Sequence, residues 1–311
     1  MSRQSAPEQP TSDGAANIRG ALIMVLSMAL FAVEDLFIKV LAATVPPGEM
    51  LMFIGGLGAP ILAGLSLARR EPWPWRALAH RTVALRTAGE AVGTFGYILA
   101  LSLAPLALVS AMLQAVPLAV TLGAALVFGE AVGWRRWSAV AVGFAGVVIV
   151  VDPWGAGFDP AALFAILAIF GLGARDLATR VVPRAITGLQ LSVTAFVALV
   201  PTGALLMWLS GTPFVPLTGQ ALAFLPMILI FGIGGYLTVV AATRAGDVGF
   251  VAPFRYFRIL FAMVLASTLL GEAITVPMLI GSALIVGSGL YTFFRERRLR
   301  RAASLVAPRG I

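Results

Sequence analysis

Apolar residues run along this chain in long blocks, not in the spaced stripe of a surface helix or the alternation of a half-buried strand. An α-helix needs about 20 apolar residues to cross the hydrocarbon core of a bilayer. Ten blocks of that order are read at 19–42, 48–67, 85–104, 106–128, 134–151, 160–181, 188–209, 219–242, 249–270 and 276–294. The connections are short and carry helix breakers: Pro46, Pro47 and Gly48, then Pro153, Pro160, the stretch from Gly211 to Pro216, and Gly246. The pattern predicts an all-α polytopic membrane protein with ten transmembrane helices. Residues 1–18 are polar and rich in Pro, Ser and Gln, and are expected to be a disordered cytoplasmic N-terminus. With no apolar region ahead of the first block, they do not read as a signal peptide.

Composition and charge sharpen this picture. The 311 residues are 59% hydrophobic and 12% charged, whereas a soluble domain is about 45–50% apolar and about 25% charged. The net charge of +8 could indicate nucleic acid or anionic lipid, so the placement of the charges decides. Arg3, Arg19, Arg69, Arg70, Arg76, Arg81, Arg86, Arg135, Arg136, Arg180, Arg184, Arg244 and the basic tail at 295–311 fall on one side of a ten-span arrangement. The opposite connections, around 43–47, 105, 152–159, 210–218 and 271–275, contain no Lys or Arg. The positive-inside rule then puts both termini in the cytoplasm and explains the charge without nucleic acid. No cysteine is present, so disulfides and thiolate chemistry are excluded.

The two halves of the chain resemble each other at an offset of about 141 residues. Glu34-Asp35-Leu36-Phe37-Ile38-Lys39 aligns with Arg175-Asp176-Leu177-Ala178-Thr179-Arg180, Pro60 with Pro201, Gly96-Tyr97 with Gly235-Tyr236, and Gly129-Glu130-Ala131 with Gly271-Glu272-Ala273. An odd number of spans per repeat forces the second copy to enter the membrane inverted, an architecture of secondary transporters. Repeat one is placed at 19–151 and repeat two at 160–294. The two five-helix repeats, the Gly-Glu that ends the fourth span of each, and Ala252-Pro253-Phe254-Arg255-Tyr256 in span nine together resemble the EamA family of the drug/metabolite transporter superfamily. The resemblance implies a ten-helix carrier of the bacterial cell inner membrane. Asp35 and Lys39 in span one are also similar to the pattern of S-adenosylmethionine carriers. Many relatives have an arginine midway along span two, where this chain reads Phe53-Ile54-Gly55-Gly56.

Ionisable groups inside a bilayer are costly, face a partner or a wet cavity, and so mark the candidate site. Glu34, Asp35, Lys39, Glu90, Arg175, Asp176, Arg255 and Arg258 fall within the spans. Asp35 with Lys39 and Asp176 with Arg180 are spaced to pair on one helix face, which would leave Glu34 and Arg175 without those partners. Glu34 is a candidate proton carrier, the alternative being a polar residue that lines a wet vestibule. Arg255 and Arg258 share a face and would hold a substrate carboxylate, or else pair with Glu90. In the first case Arg258→Gln costs transport while leaving thermal stability nearly unchanged. Tyr97, Gln114 and Tyr236 offer uncharged hydrogen bonding mid-span, and Pro117, Pro226 and Pro253 are placed to kink their spans. Gly89 and Gly93 form a small-xxx-small pair suited to close helix contact.

Enzymatic readings find no residues to carry them. His80 is the only histidine and Lys39 the only lysine, so zinc and phosphate-loop motifs are absent and no cofactor or metal is implied. The reading is therefore a secondary transporter, not an enzyme. It would move a small polar metabolite across the bilayer by alternating access, most simply as an exporter of an amino acid or related compound, with the proton as a candidate coupling ion. Uptake of an S-adenosylmethionine-like compound is the alternative, and a channel or a non-transporting membrane protein the alternative of another class.

Overall fold

The computed structural model describes residues 14–130, 133–155 and 158–306. In chain order these form α1 (Gly14–Leu41), α2 (Pro47–Ala68), a single turn α3 (Trp75–Leu78), α4 (Arg81–Leu103), α5 (Leu106–Leu113), α6 (Val116–Phe128) and α7 (Trp134–Val151). The second half continues as α8 (Ala162–Thr179), α9 (Gly188–Ser210), α10 (Gln220–Ala245), a single turn α11 (Val248–Val251), a 3₁₀ turn (Ala252–Tyr256), α12 (Phe257–Leu269) and α13 (Val276–Val306). No strand occurs among the described residues. Nine of the described segments are long and apolar enough to cross a membrane, α5 with α6 and the 3₁₀ turn with α12 each counting once. A tenth, α4, has 23 residues and is made less apolar by Arg86 and Glu90. The protein is an all-α polytopic membrane protein.

Two boundaries differ from the sequence reading. The first helix starts at Gly14, within the segment expected to be disordered; residues 1–13 lie outside the described residues. The last helix runs on to Val306, into the basic tail. Spans four and nine are each broken. Pro117 offers no N–H to the Leu113 carbonyl and crowds it, so α5 stops at Leu113 and α6 starts anew at Val116. Pro253 stands at the head of the 3₁₀ turn. Pro226, expected to act likewise, sits inside the continuous α10.

Packing repeats the internal symmetry. Span two lies on span seven and span five on span ten; span one lies on eight as six lies on three, and nine lies on one as four lies on six. The pair of spans two and seven crosses where a Cβ on Gly55 would stand 2.5 Å from the Phe196 carbonyl oxygen, residues that are each other's counterparts at an offset of 141. Ser27 donates to the Gly235 carbonyl at 2.6 Å, and its counterpart Ala168 lies beside Gly96, where an added Cβ would stand 2.9 Å from Ala168 N. Gly89 and Gly93 do pack against another helix: added Cβ atoms would stand 2.8 Å from Arg175 N and 2.7 Å from Leu172 N on α8. Outward faces carry Leu22, Leu57, Ile61, Leu126, Leu260 and Val264 exposed, as lipid contact requires.

Candidate functional site

Midway along the bundle, three spans converge on one polar cluster. Asp35 of α1 is completely buried. Arg258, in the first turn of α12, donates to it from Nε at 3.0 Å and from Nη2 at 2.7 and 2.8 Å. Tyr97 of α4 donates its hydroxyl to Asp35 and accepts from Arg258 Nη2 at 2.7 Å. The guanidinium also lies over the ring of Phe31, 5.1 Å from its centroid, and 5.7 Å from that of Tyr97. A buried ion pair becomes tolerable through such added hydrogen bonds and aromatic faces. Phe31 was not among the candidates. It precedes Asp35 by four residues, and that helical spacing was the available signal.

The local pair Asp35–Lys39 does not form, because the Asp35 carboxylate is taken by Arg258 and Tyr97. Lys39 donates instead to the Ala104 carbonyl at 2.7 Å. Nor does Asp176 pair with Arg180: Asp176 accepts from Arg175 Nε at 2.8 Å, and Arg180 meets Glu130 at 3.0 Å. Arg175, expected to lack these partners, lies between Asp176 and Glu90, the latter at 3.0 Å. Arg86, counted above with the connecting arginines, belongs to α4. It pairs with Glu90 at 3.1 Å and donates to the Leu191 carbonyl at 2.7 Å. Glu90 is thus committed to Arg86 and Arg175 rather than to span nine.

Arg255 and Arg258 part company. Arg255, on the 3₁₀ turn, is exposed and makes no hydrogen bond or ion pair among the described residues. It lies within Coulombic range of Asp176 and Arg175. Glu34 faces α10, where a Cβ on Gly232 would stand 2.3 Å from Glu34 Oε1. It lies within Coulombic range of Arg258 and has no hydrogen-bond partner among the described residues. Gln114 caps α5 at the break in span four and donates to the Tyr256 carbonyl at 3.4 Å. Tyr236 is away from the cluster, against Gly188 and beside Leu62 and Trp73.

The two ends of the bundle are not alike. On the face without arginines, Ile38, Leu41, Leu101, Ala104 and Leu106 are all 2% exposed or less. At repeat-equivalent positions on the arginine-rich face, the Asp176 side chain is 42% exposed against 1% for Asp35, and Thr179 is exposed where Ile38 is buried. At these positions the non-basic face is closely packed, whereas its counterparts on the basic face are exposed.

Residues 18–152 match the EamA-like transporter family. A riboflavin transporter of Rhizobium johnstonii is 31% identical over 253 residues, which is 78% of each chain. An S-adenosylmethionine uptake transporter of Rickettsia bellii is 26% identical over 64% of this chain and 67% of its own. A riboflavin transporter of Brucella anthropi is 26% identical over 70% of this chain and 78% of its own. A solved crystal structure at 23% identity superposes with a TM-score of 0.54, covering 93% of this chain and 99% of that one, and shows the same fold. With fold and relatives in agreement, the chain belongs to the EamA-like transporter family of the drug/metabolite transporter superfamily.

Proposed function

We infer that this protein takes up a riboflavin-like heteroaromatic metabolite by alternating access, with its basic face in the cytoplasm of a bacterial cell. The observation that carries this reading is the mid-bundle cluster of Arg258, Asp35 and Tyr97 beside Phe31. A flavin ring presents a flat aromatic face and an imide edge of alternating carbonyl oxygens and N–H. Aromatic rings answer the face and the remaining guanidinium N–H groups the carbonyls, while Asp35 and Tyr97 hold the guanidinium in place. Uptake of a cation like S-adenosylmethionine is the second reading, favoured by Glu34, which has no hydrogen-bond partner among the described residues. Amino-acid export draws no support from the relatives. Glu34 is the proposed proton carrier.

Proteoliposomes test the substrate. Labelled riboflavin should accumulate under an imposed proton gradient, and Glu34→Gln should reduce that accumulation while sparing counterflow exchange. Accumulation of S-adenosylmethionine alone would decide for the second reading, and accumulation of neither would sink both. Orientation is tested by reporter fusions in cells. Fusions after residues 45 and 214 should report the outside, and those after 75 and 186 the cytoplasm. A cytoplasmic signal at 45 would reverse the assignment.

A further inference from the structure

Each repeat ends its fourth span with Gly-Glu, and both glycines take the left-handed backbone, Gly129 at φ 62° and Gly271 at φ 66°. The same local turn therefore presents Glu130 and Glu272, yet their surroundings differ. Glu272 reaches across from repeat two to the corner between α4 and α5. Its two oxygens accept from the backbone N–H of Leu106 at 2.8 Å and of Ala107 at 3.0 Å. Lys39 reaches the other side of the same corner, donating to the Ala104 carbonyl at 2.7 Å. An anion thus caps the N-terminus of α5 and a cation the C-terminus of α4, each matched to the helix end it meets. This corner lies on the non-basic face.

On the basic face the counterparts of these groups are Arg180, Glu130 and the corner between α10 and α11, residues 245–249. Here the two charged side chains meet each other at 3.0 Å, half exposed. We propose that Lys39 with Glu272 and Arg180 with Glu130 are two halves of one alternating latch, engaged by turns on opposite faces. Opening the non-basic face releases Glu272 and Lys39 from the Ala104–Ala107 corner. Closing the basic face then brings Glu130 and Arg180 onto the corner at 245–249. The latch rests on the alternating-access reading and identifies what holds each end state.

The chain has no cysteine, so single cysteines report the two faces. Ile38→Cys probes the non-basic face and Thr179→Cys the basic one, in purified protein in nanodiscs, where a charged thiol reagent reaches both. In the unaltered background Thr179→Cys should react fast and Ile38→Cys slowly. Adding Glu272→Gln should raise the Ile38→Cys rate about tenfold, equivalent to about 1.4 kcal/mol, and lower that of Thr179→Cys. Glu130→Gln should lower the Ile38→Cys rate further. Lys39→Gln and Arg180→Gln should follow Glu272→Gln and Glu130→Gln respectively, which covers a variant that fails to fold. Two rates that Glu272→Gln and Glu130→Gln both leave unchanged, or a rate ratio that the two variants move in the same direction, overturn the latch and leave the carrier standing. Two rates that rise together overturn both, since the faces would then open at once.

Discussion

Arg258→Gln should abolish transport and also lower the melting temperature. Arg258 supplies every cationic hydrogen bond found on Asp35, whose side chain is 1% exposed. Removing one member of a buried ion pair leaves the other charge unpaired, at a cost of about 3–5 kcal/mol. At a few degrees per kcal/mol, the midpoint should fall by roughly 5–15 °C. At the proposed substrate site, loss of a charge-assisted hydrogen bond of about 1.5–3 kcal/mol should lower transport by roughly 10- to 100-fold or more. Structure here corrects the expectation that stability would hardly change, which treated Arg258 as a free donor awaiting substrate. The double variant Asp35→Asn with Arg258→Gln separates the two effects. It removes both charges, so the melting temperature should recover while transport stays lost. If the double variant transports normally, the pair is structural only and the site lies elsewhere.

The architecture was legible because its causes are local and repetitive. Apolar blocks of bilayer length can be read without a partner, and matches such as Gly129-Glu130 with Gly271-Glu272 propose a repeat before any contact is known. Even the Gly89–Gly93 crossing follows from residue size alone. Charge pairing was less legible, and the reason is geometric. Spacing of four residues shows which groups could meet on one helix, as Asp35 and Lys39 could. It says nothing of a better donor arriving from another span, and Arg258 is 223 residues from Asp35 in the chain. The same blindness hid Arg175 as a partner of Glu90, whereas Arg86, four residues before Glu90 on α4, lay within reach of the spacing argument. Tyr97 and Tyr236 show a further limit. They are repeat equivalents, but the two ends of the bundle are packed differently, so equal sequence positions have unequal neighbours.

The contact between α4 and α8 gives the largest stability prediction. A Cβ added to Gly171 would stand 2.5 Å from Gly93 N and 2.6 Å from Gly93 Cα. These are backbone atoms of a helix, so no side chain can rotate away and one whole span must shift. Overpacking a well-filled core usually costs about 1–3 kcal/mol, and occasionally more; with backbone on both sides Gly171→Leu should exceed that range and fail to accumulate in the membrane. Gly171→Ala should accumulate, but melt several degrees lower. Its damage should extend to function, because α4 carries Tyr97 and Glu90 while α8 carries Arg175. Parting the helices stretches the 3.0 Å Glu90–Arg175 pair and draws Tyr97 off Arg258. Gly64→Ala is the control: nothing lies within 4 Å of its added Cβ, and alanine favours a helix over glycine. Melting of purified Gly171→Ala within a degree of the natural protein would show that this crossing yields more readily than its geometry implies.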